Sequence, residues 1–226
     1  MTITDLNQKR EGEVERVRRL YQFEDQYRAE GYNLIAGVDE VGRGSLAGPL
    51  VVSAVILPQD LFLDHLNDSK KLTARRREIL YDEIVEKALA VSTIQSTVEE
   101  IDRVNVYQAT LKAMIRAVRA LPIKPDFVLT DAMKIYFGDD IRTLSIIKGD
   151  AKSATIAAAS IVAKVTRDRM ADDWHEIYPQ YGFDSNRGYG TKKHLEAIKK
   201  YGATPIHRRS YEPVKSMYSE QLSIKF

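Results

Sequence analysis

Four carboxylates stand where predicted strands stop, and through them this sequence could do chemistry. Asp39 and Glu40 directly follow an apolar run at 33–38, and Asp131 directly follows a run at 127–130. Asp150 lies three residues beyond a predicted strand at 142–147, at the entrance of a long helix. Ligands of α/β sheets collect outside the carboxyl ends of strands, so three such ends could bring the four acids together. Crowded carboxylates repel and partly protonate unless a cation compensates them. Oxygen ligands without His or Cys partners select Mg2+ or Mn2+ over zinc. A pair of such ions can activate a water and stabilise the leaving oxygen in phosphodiester cleavage. Taken singly, each Asp reads equally well as a turn residue, and Asp150 as a helix cap.

Beside the first two acids lies Gly42-Arg43-Gly44-Ser45-Leu46-Ala47, which formally fits the G-x-G-x-x-G/A dinucleotide fingerprint. That fingerprint must open a helix, because parallel strands need a crossover of a dozen or more residues. Here Pro49 and the β-branched run 50–57 begin another strand almost at once, which predicts an antiparallel connection and no helix N-terminus for a pyrophosphate. What survives is a loop whose backbone can approach a ligand closely, with Arg43 as a natural phosphate partner.

The positioning elements follow from periodicity and caps. A helix is expected at 8–30, with Val14, Val17, Leu20, Tyr21 and Tyr27 as its apolar stripe and Gly31 as its stop. Strands are expected at 33–38, 50–57, 89–96, 127–130 and 142–147. Thr73 caps a helix to about Lys87, and Asn105 caps one through Leu121. A long helix at 153–174 opens with small residues that let it lie close to a sheet. A glycine-containing loop at 181–190 and a basic helix at 192–201 follow. The order predicts one α/β domain on a mixed sheet, with a helical segment at each end.

The 226 residues carry 34 Lys and Arg against 32 Asp and Glu, and no Cys. Lack of Cys excludes disulfides, thiolate metal sites, Fe–S clusters and cysteine catalysis. No apolar stretch approaches the roughly 20 residues that span a bilayer, and the N-terminus lacks a signal-peptide core, so a cytoplasmic protein is expected. The near-neutral sum conceals an uneven distribution: residues 185–226 hold nine Lys and Arg against three Glu, with tyrosines interleaved. Such a segment suits a polyanionic partner, or is a solvated helical face with a charged tail.

Taken in order, several blocks resemble the bacterial ribonuclease HII family. They are Asp39-Glu40-Val41-Gly42-Arg43-Gly44, Gly48-Pro49 with the strand after it, Asn67-Asp68-Ser69-Lys70-Lys71-Leu72 and Asn105-Val106-Tyr107-Gln108-Ala109. Asp131-Ala132-Met133-Lys134, Lys148-Gly149-Asp150, residues 156–168, residues 186–191 and His207-Arg208-Arg209-Ser210 continue the series. The resemblance implies a ribonuclease H-like fold: a mixed five-stranded sheet flanked by helices, with a C-terminal helical segment. It implies an endonuclease acting on RNA in RNA/DNA hybrids and 5′ of single ribonucleotides embedded in DNA, leaving a 3′-hydroxyl and a 5′-phosphate. On that model Asp39, Glu40, Asp131 and Asp150 hold two divalent ions, Mg2+ or Mn2+. Gly42, Arg43, Gly44 and Tyr189 would examine the ribonucleotide 2′-OH, the group that separates RNA from DNA. Lys70 would contact a phosphate and Asn105 the nucleic-acid backbone.

Blander readings stand beside these. Tyr189 is also an ordinary loop aromatic, Lys70 and Lys71 a solvated turn, and Asn105 a helix cap. His194 and His207 read as structural or phosphate-side residues, and Trp174 as packing for the long helix. The related ribonuclease HIII family shares the acidic pattern but differs in its glycine loop, and the Gly-Arg-Gly here favours HII. A non-catalytic nucleic-acid binder on the same fold is the competing class, and the complete acid set argues against it. The expected organisation is a helical extension at 1–31, a catalytic domain at 32–211 and a tail at 212–226. The extension, with six basic and seven acidic groups in residues 1–30, is expected to dock on the core. The tail residues Gln221, Leu222 and Phe226 resemble the anchors of short peptides that bind the bacterial sliding clamp, and a tail merely folded or disordered is the alternative.

Overall fold

The computed structural model describes residues 3–59 and 61–217. The clamp-like residues Gln221, Leu222 and Phe226 lie outside them. Two helices open the chain, α1 (Ile3–Leu20) and α2 (Gln22–Ala29), where the sequence predicts one. The break is a turn at Tyr21, whose ring is buried and whose hydroxyl donates to the Leu61 carbonyl at 2.5 Å.

A five-stranded sheet follows in the order β3-β2-β1-β4-β5. Its strands are β1 (Ile35–Val41), β2 (Leu50–Ile56), β3 (Ala90–Ser96), β4 (Phe127–Asp131) and β5 (Arg142–Ile146). β1, β2 and β3 are antiparallel neighbours, while β4 and β5 run parallel to β1. The short β1–β2 connection is thus antiparallel, as its length requires, and offers no helix to a dinucleotide. β2 is buried along its whole length, which explains its apolar run, interrupted at Ser53, whose hydroxyl bonds to that of Thr93.

Helices cover both faces. α5 (Val106–Arg119), capped by Asn105, packs on β2 and β3 and forms one core with the buried Met133, Ile135, Phe137 and Ile141. A short helix at Val98–Val104, α4, was not foreseen; Thr97 caps it, and Val98 and Ile101 bury its inner side. On the opposite face α3 (Ala74–Lys87) and the long α6 (Ala154–Ile177) make a second core, which Val17, Leu20 and Tyr21 of the N-terminal segment join. α6 reaches the sheet closely because Gly37 of β1 has no side chain: a Cβ there would lie 2.1 Å from the Thr155 carbonyl carbon. Beyond α6, the four-residue α7 (Phe183–Asn186) and α8 (Lys192–Tyr201) gather around Trp174, Tyr181, Phe183 and Ile198 in a separate apolar cluster. Among the described residues no helix is long and apolar enough to cross a membrane.

Candidate active site

Strand register brings the first acids together. Val38 pairs with Thr130, so Asp39 and Asp131 are the next residues on adjacent parallel strands. Asp39 and Glu40 lie within β1 rather than after it, which corrects the sequence reading. Their strand continues because the antiparallel ladder to β2 runs on through Glu40–Val52 and Val41–Val51, past the end of its pairing with β4. The two acids occupy that overhang. Asp131 is likewise the last residue of β4, and Asp150 sits in a 3₁₀ turn at Gly149–Ala151 just before α6.

Asp39 shares a strand face with Gly37 and so points towards α6. It is 5% exposed, and burial holds its pKa well above the usual carboxylate range. The charges of Glu40 and Asp131 push the same way, while a hydrogen bond from Ser160 opposes them. Burial also raises Glu40, against the nearby Arg43 guanidinium, whose Nη1 lies 3.3 Å from Oε1. Asp131 is raised by burial and by the Asp150 charge, against the Gly149 amide, which donates to its Oδ1 at 2.7 Å. On Asp150, Oδ2 accepts from Lys70 Nζ at 3.2 Å. Burial alone would lower the Lys70 pKa; Asp150, with Asp68 and Asp39, more than offsets it, and the net shift is upward.

This donor set fits a hard divalent cation. Three acids are held against their ionised form by burial and one another, the ligand atoms are all oxygen, and Glu40 Oε2 is buried with no hydrogen-bond partner among the described residues. No three of these four residues place ligand atoms within 4.8 Å of one another. Among the described residues Glu13, Asp64 and His65 do so, but Glu13 is already paired with Arg16 at 2.6 Å and the other two are exposed.

The glycine loop closes one side of the acids, and the C-terminal segment holds it. The Leu46 and Ala47 amides donate to the Gly188 carbonyl at 2.8 and 3.2 Å, and Arg208 and Tyr211 both donate to the Arg43 carbonyl. Gly188 has φ +82°, and a Cβ there would meet the Ala47 oxygen at 2.6 Å, so the contact needs glycine. Tyr189 follows directly and is 38% exposed. The loop and Tyr189 are therefore brought together although well over a hundred residues separate them in the chain.

Comparison with known proteins assigns the arrangement. A family model described as Ribonuclease HII matches residues 36–214. The chain belongs to the ribonuclease HII family. A Ribonuclease HII of Enterococcus faecalis is 51% identical over 208 residues, covering 92% of this chain and 81% of that protein. The crystal structure of ribonuclease H2 from Pyrococcus horikoshii OT3 aligns with TM-score 0.71 at 28% identity, over 82% of this chain and 97% of the other. Ribonuclease HII of Archaeoglobus fulgidus, solved as a complex with PCNA, aligns with TM-score 0.64 at 25% identity, over 79% and 95%. The protein is a ribonuclease H type II hydrolase, an endonuclease.

Within this family member, other predicted residues take less direct places. Asn105 caps α5, its Oδ1 accepting from the Gln108 amide at 3.1 Å, at φ +65°. His194 and His207 are buried with their Nε2 atoms 3.0 Å apart, and so belong to the structure rather than to a phosphate-facing surface. Arg208, counted in the basic surplus, is fully buried, and Arg187 bonds to Asp172 and to the Asp168 carbonyl. Arg167 stands outside the predicted site residues. It is fully buried and donates to the carbonyls of Ala47, Pro49 and Arg187, tying α6 to both loops. A lone Arg on an otherwise apolar helix stripe was the available signal.

Proposed function

We propose that this ribonuclease HII incises duplex DNA 5′ of a single embedded ribonucleotide, and cuts RNA in RNA/DNA hybrids, leaving a 3′-hydroxyl and a 5′-phosphate. The observation carrying the reading is that the loop holding Gly42, Arg43 and Gly44, beside Glu40, is bonded through its Leu46 and Ala47 amides to Gly188, the residue before the exposed Tyr189. A glycine loop and an exposed aromatic ring held in neighbouring segments suit a ribose 2′-OH and the sugar next to it. Asp39, Glu40, Asp131 and Asp150 hold two divalent ions, Mg2+ or Mn2+, which when bound supply a polarised water and a stabilised leaving oxygen. Asp131 is kept in place by the Gly149 amide, and Lys70, 76% exposed at its side chain, extends from Asp150 towards a backbone phosphate. Asn105 contributes a more distant backbone contact in addition to its cap.

The deciding experiment uses duplex DNA with one ribonucleotide, with Mg2+. Strand-specific incision is expected, abolished by EDTA and by Asp150→Asn. Incision that survives either treatment would sink the metal reading, and incision of an all-DNA duplex would sink the 2′-OH reading. A clamp contact through Gln221, Leu222 and Phe226 is part of the proposal, supported by the PCNA complex of the Archaeoglobus fulgidus relative. Deleting residues 221–226 should abolish binding to a sliding clamp and leave cleavage in free solution unchanged.

A further inference from the structure

A buried carboxylate lies outside the acid set, in the segment that precedes the family match. Glu24 of α2 is fully buried. Its Oε1 accepts three hydrogen bonds: from Ser153 Oγ at 2.7 Å, Thr155 N at 2.8 Å and Thr155 Oγ1 at 2.8 Å. Those donors form the N-terminus of α6, where Ser153 is the cap and itself accepts from the Ile156 amide at 3.2 Å. Ser153 in turn donates its amide to the Gly149 carbonyl at 2.8 Å, and Lys152 does so at 2.9 Å. Gly149 opens the turn that carries Asp150, and its own amide holds Asp131. One unbroken hydrogen-bond chain therefore links Glu24 to the support of two acids.

Packing reinforces the link. Phe23 and Tyr27 flank Glu24 on α2 and pack against Ile35 of β1, Phe127 of β4, Ile146 of β5 and Ile156 of α6. The Tyr27 ring stacks on Phe127 at 3.9 Å. These contacts fall on every element that supplies one of the four acids or leads into the Asp150 turn. A negative group at a helix N-terminus is favourable in itself, but three donors on one fully buried oxygen exceed what capping an exposed end requires.

We propose that Glu24 is a positioning residue for the metal site, with α2 clamping the Asp150 turn through Ser153 and Thr155. The proposal rests on the reading of Asp150 as a metal ligand. Partners that orient metal ligands typically change metal affinity about 10–100-fold when lost. Glu24→Ala should therefore weaken Mn2+ binding, measured by calorimetry on the otherwise intact chain, by about tenfold. Glu24→Gln keeps the accepting oxygen and should stay within about twofold of the original. In metal-free protein, the amides of residues 149–155 should exchange faster in Glu24→Ala than in Glu24→Gln.

If Glu24→Ala does not fold, Thr155→Val removes one of the three donors and should weaken Mn2+ binding by about threefold. Asp150→Asn, measured alongside, separates the two ideas. Unchanged Mn2+ affinity in Asp150→Asn would remove the ligand reading itself. Lost affinity in Asp150→Asn, with unchanged affinity and exchange in folded Glu24→Ala or in Thr155→Val, would overturn the positioning role alone. A fall in melting temperature with no change in Mn2+ affinity has that same meaning, because it is all that a purely structural cap would produce.

Discussion

Arg208 reaches back 165 residues to donate its Nη1 to the carbonyl oxygen of Arg43 at 3.0 Å. Its other nitrogens donate to the Gly48 carbonyl at 3.0 and 2.8 Å, so one buried guanidinium grips both ends of the glycine loop. Burial lowers its pKa, and Tyr211 beside it offsets part of that cost. Arg208→Met keeps the apolar stem and removes every donor. We expect a stability loss of about 1–3 kcal/mol in urea unfolding, since the buried Gly48 carbonyl is left an acceptor without Arg208, while Arg43 keeps the Tyr211 hydroxyl. Incision at a single ribonucleotide should fall more than Mn2+ affinity does, because the loop moves and the acids do not. Equal losses in both measurements would show that the loop and the metal site are not separable in this way.

Lys70 offers a contrast, since its side chain is largely exposed and, among the described residues, its ion pair is with Asp150. Solvent screens the exposed Lys70 end of this pair although Asp150 is buried, so Lys70→Ala should cost no more than about 1 kcal/mol of stability. Removing a cation beside Asp150 should also leave the Mg2+ midpoint unchanged or lower, because it removes a competitor for the same carboxylate. The KM for duplex should rise, by about tenfold if one charge-assisted phosphate contact is lost. A higher Mg2+ midpoint with an unchanged KM would place Lys70 in metal binding instead.

Local signals in the chain were readable wherever the partner is close in sequence. Thr73 and Asn105 each cap the helix that their side-chain chemistry anticipates, α6 is capped by Ser153 rather than Asp150, and the β-branched run of β2 is a fully buried strand. The four acids fall on the strand ends and turn that the apolar runs mark, with Asp39 and Glu40 displaced into β1 because β2 extends the strand. Glu24, Arg167 and Arg208 were not readable as buried groups. Their partners lie roughly 20 to 160 residues away, and apart from the apolar helix stripe around Arg167 nothing local distinguishes them from solvated charges. The short α4 was obscured for another reason: seven residues give too few turns for an apolar period to register.

Gly37 was within reach, because a glycine inside an apolar strand marks close backbone approach. A methyl at this position would sit 2.1 Å from the Thr155 carbonyl carbon and 2.3 Å from the Ile156 nitrogen. Both are backbone atoms, so relief requires α6 to withdraw from β1. Gly37→Ala should cost at least about 3 kcal/mol and weaken Mn2+ binding, as the Asp39 strand and the Asp150 turn separate. An unaltered urea midpoint would contradict this close contact.

The buried imidazole pair gives the protein an acid limit. His207 is pulled down to about 3, first by burial and then by the neighbouring His194, which is itself lowered by burial. Neither ring has a buried acid to receive a second proton's charge: His207 Nδ1 meets Thr204, His194 Nδ1 meets the Tyr189 carbonyl, and the two Nε2 atoms share one hydrogen. In the unfolded chain both titrate near 6.5. Below that value the unfolded state binds more protons than the native one, so stability is complete above about pH 6.5 and declines as pH falls towards 3. The His207 shift corresponds to roughly 3–5 kcal/mol across that window. His207→Gln, which cannot titrate, should flatten the acid side of a stability-versus-pH curve measured by urea unfolding. A His207→Gln curve parallel to the original between pH 6.5 and 4 would assign the acid sensitivity to other groups.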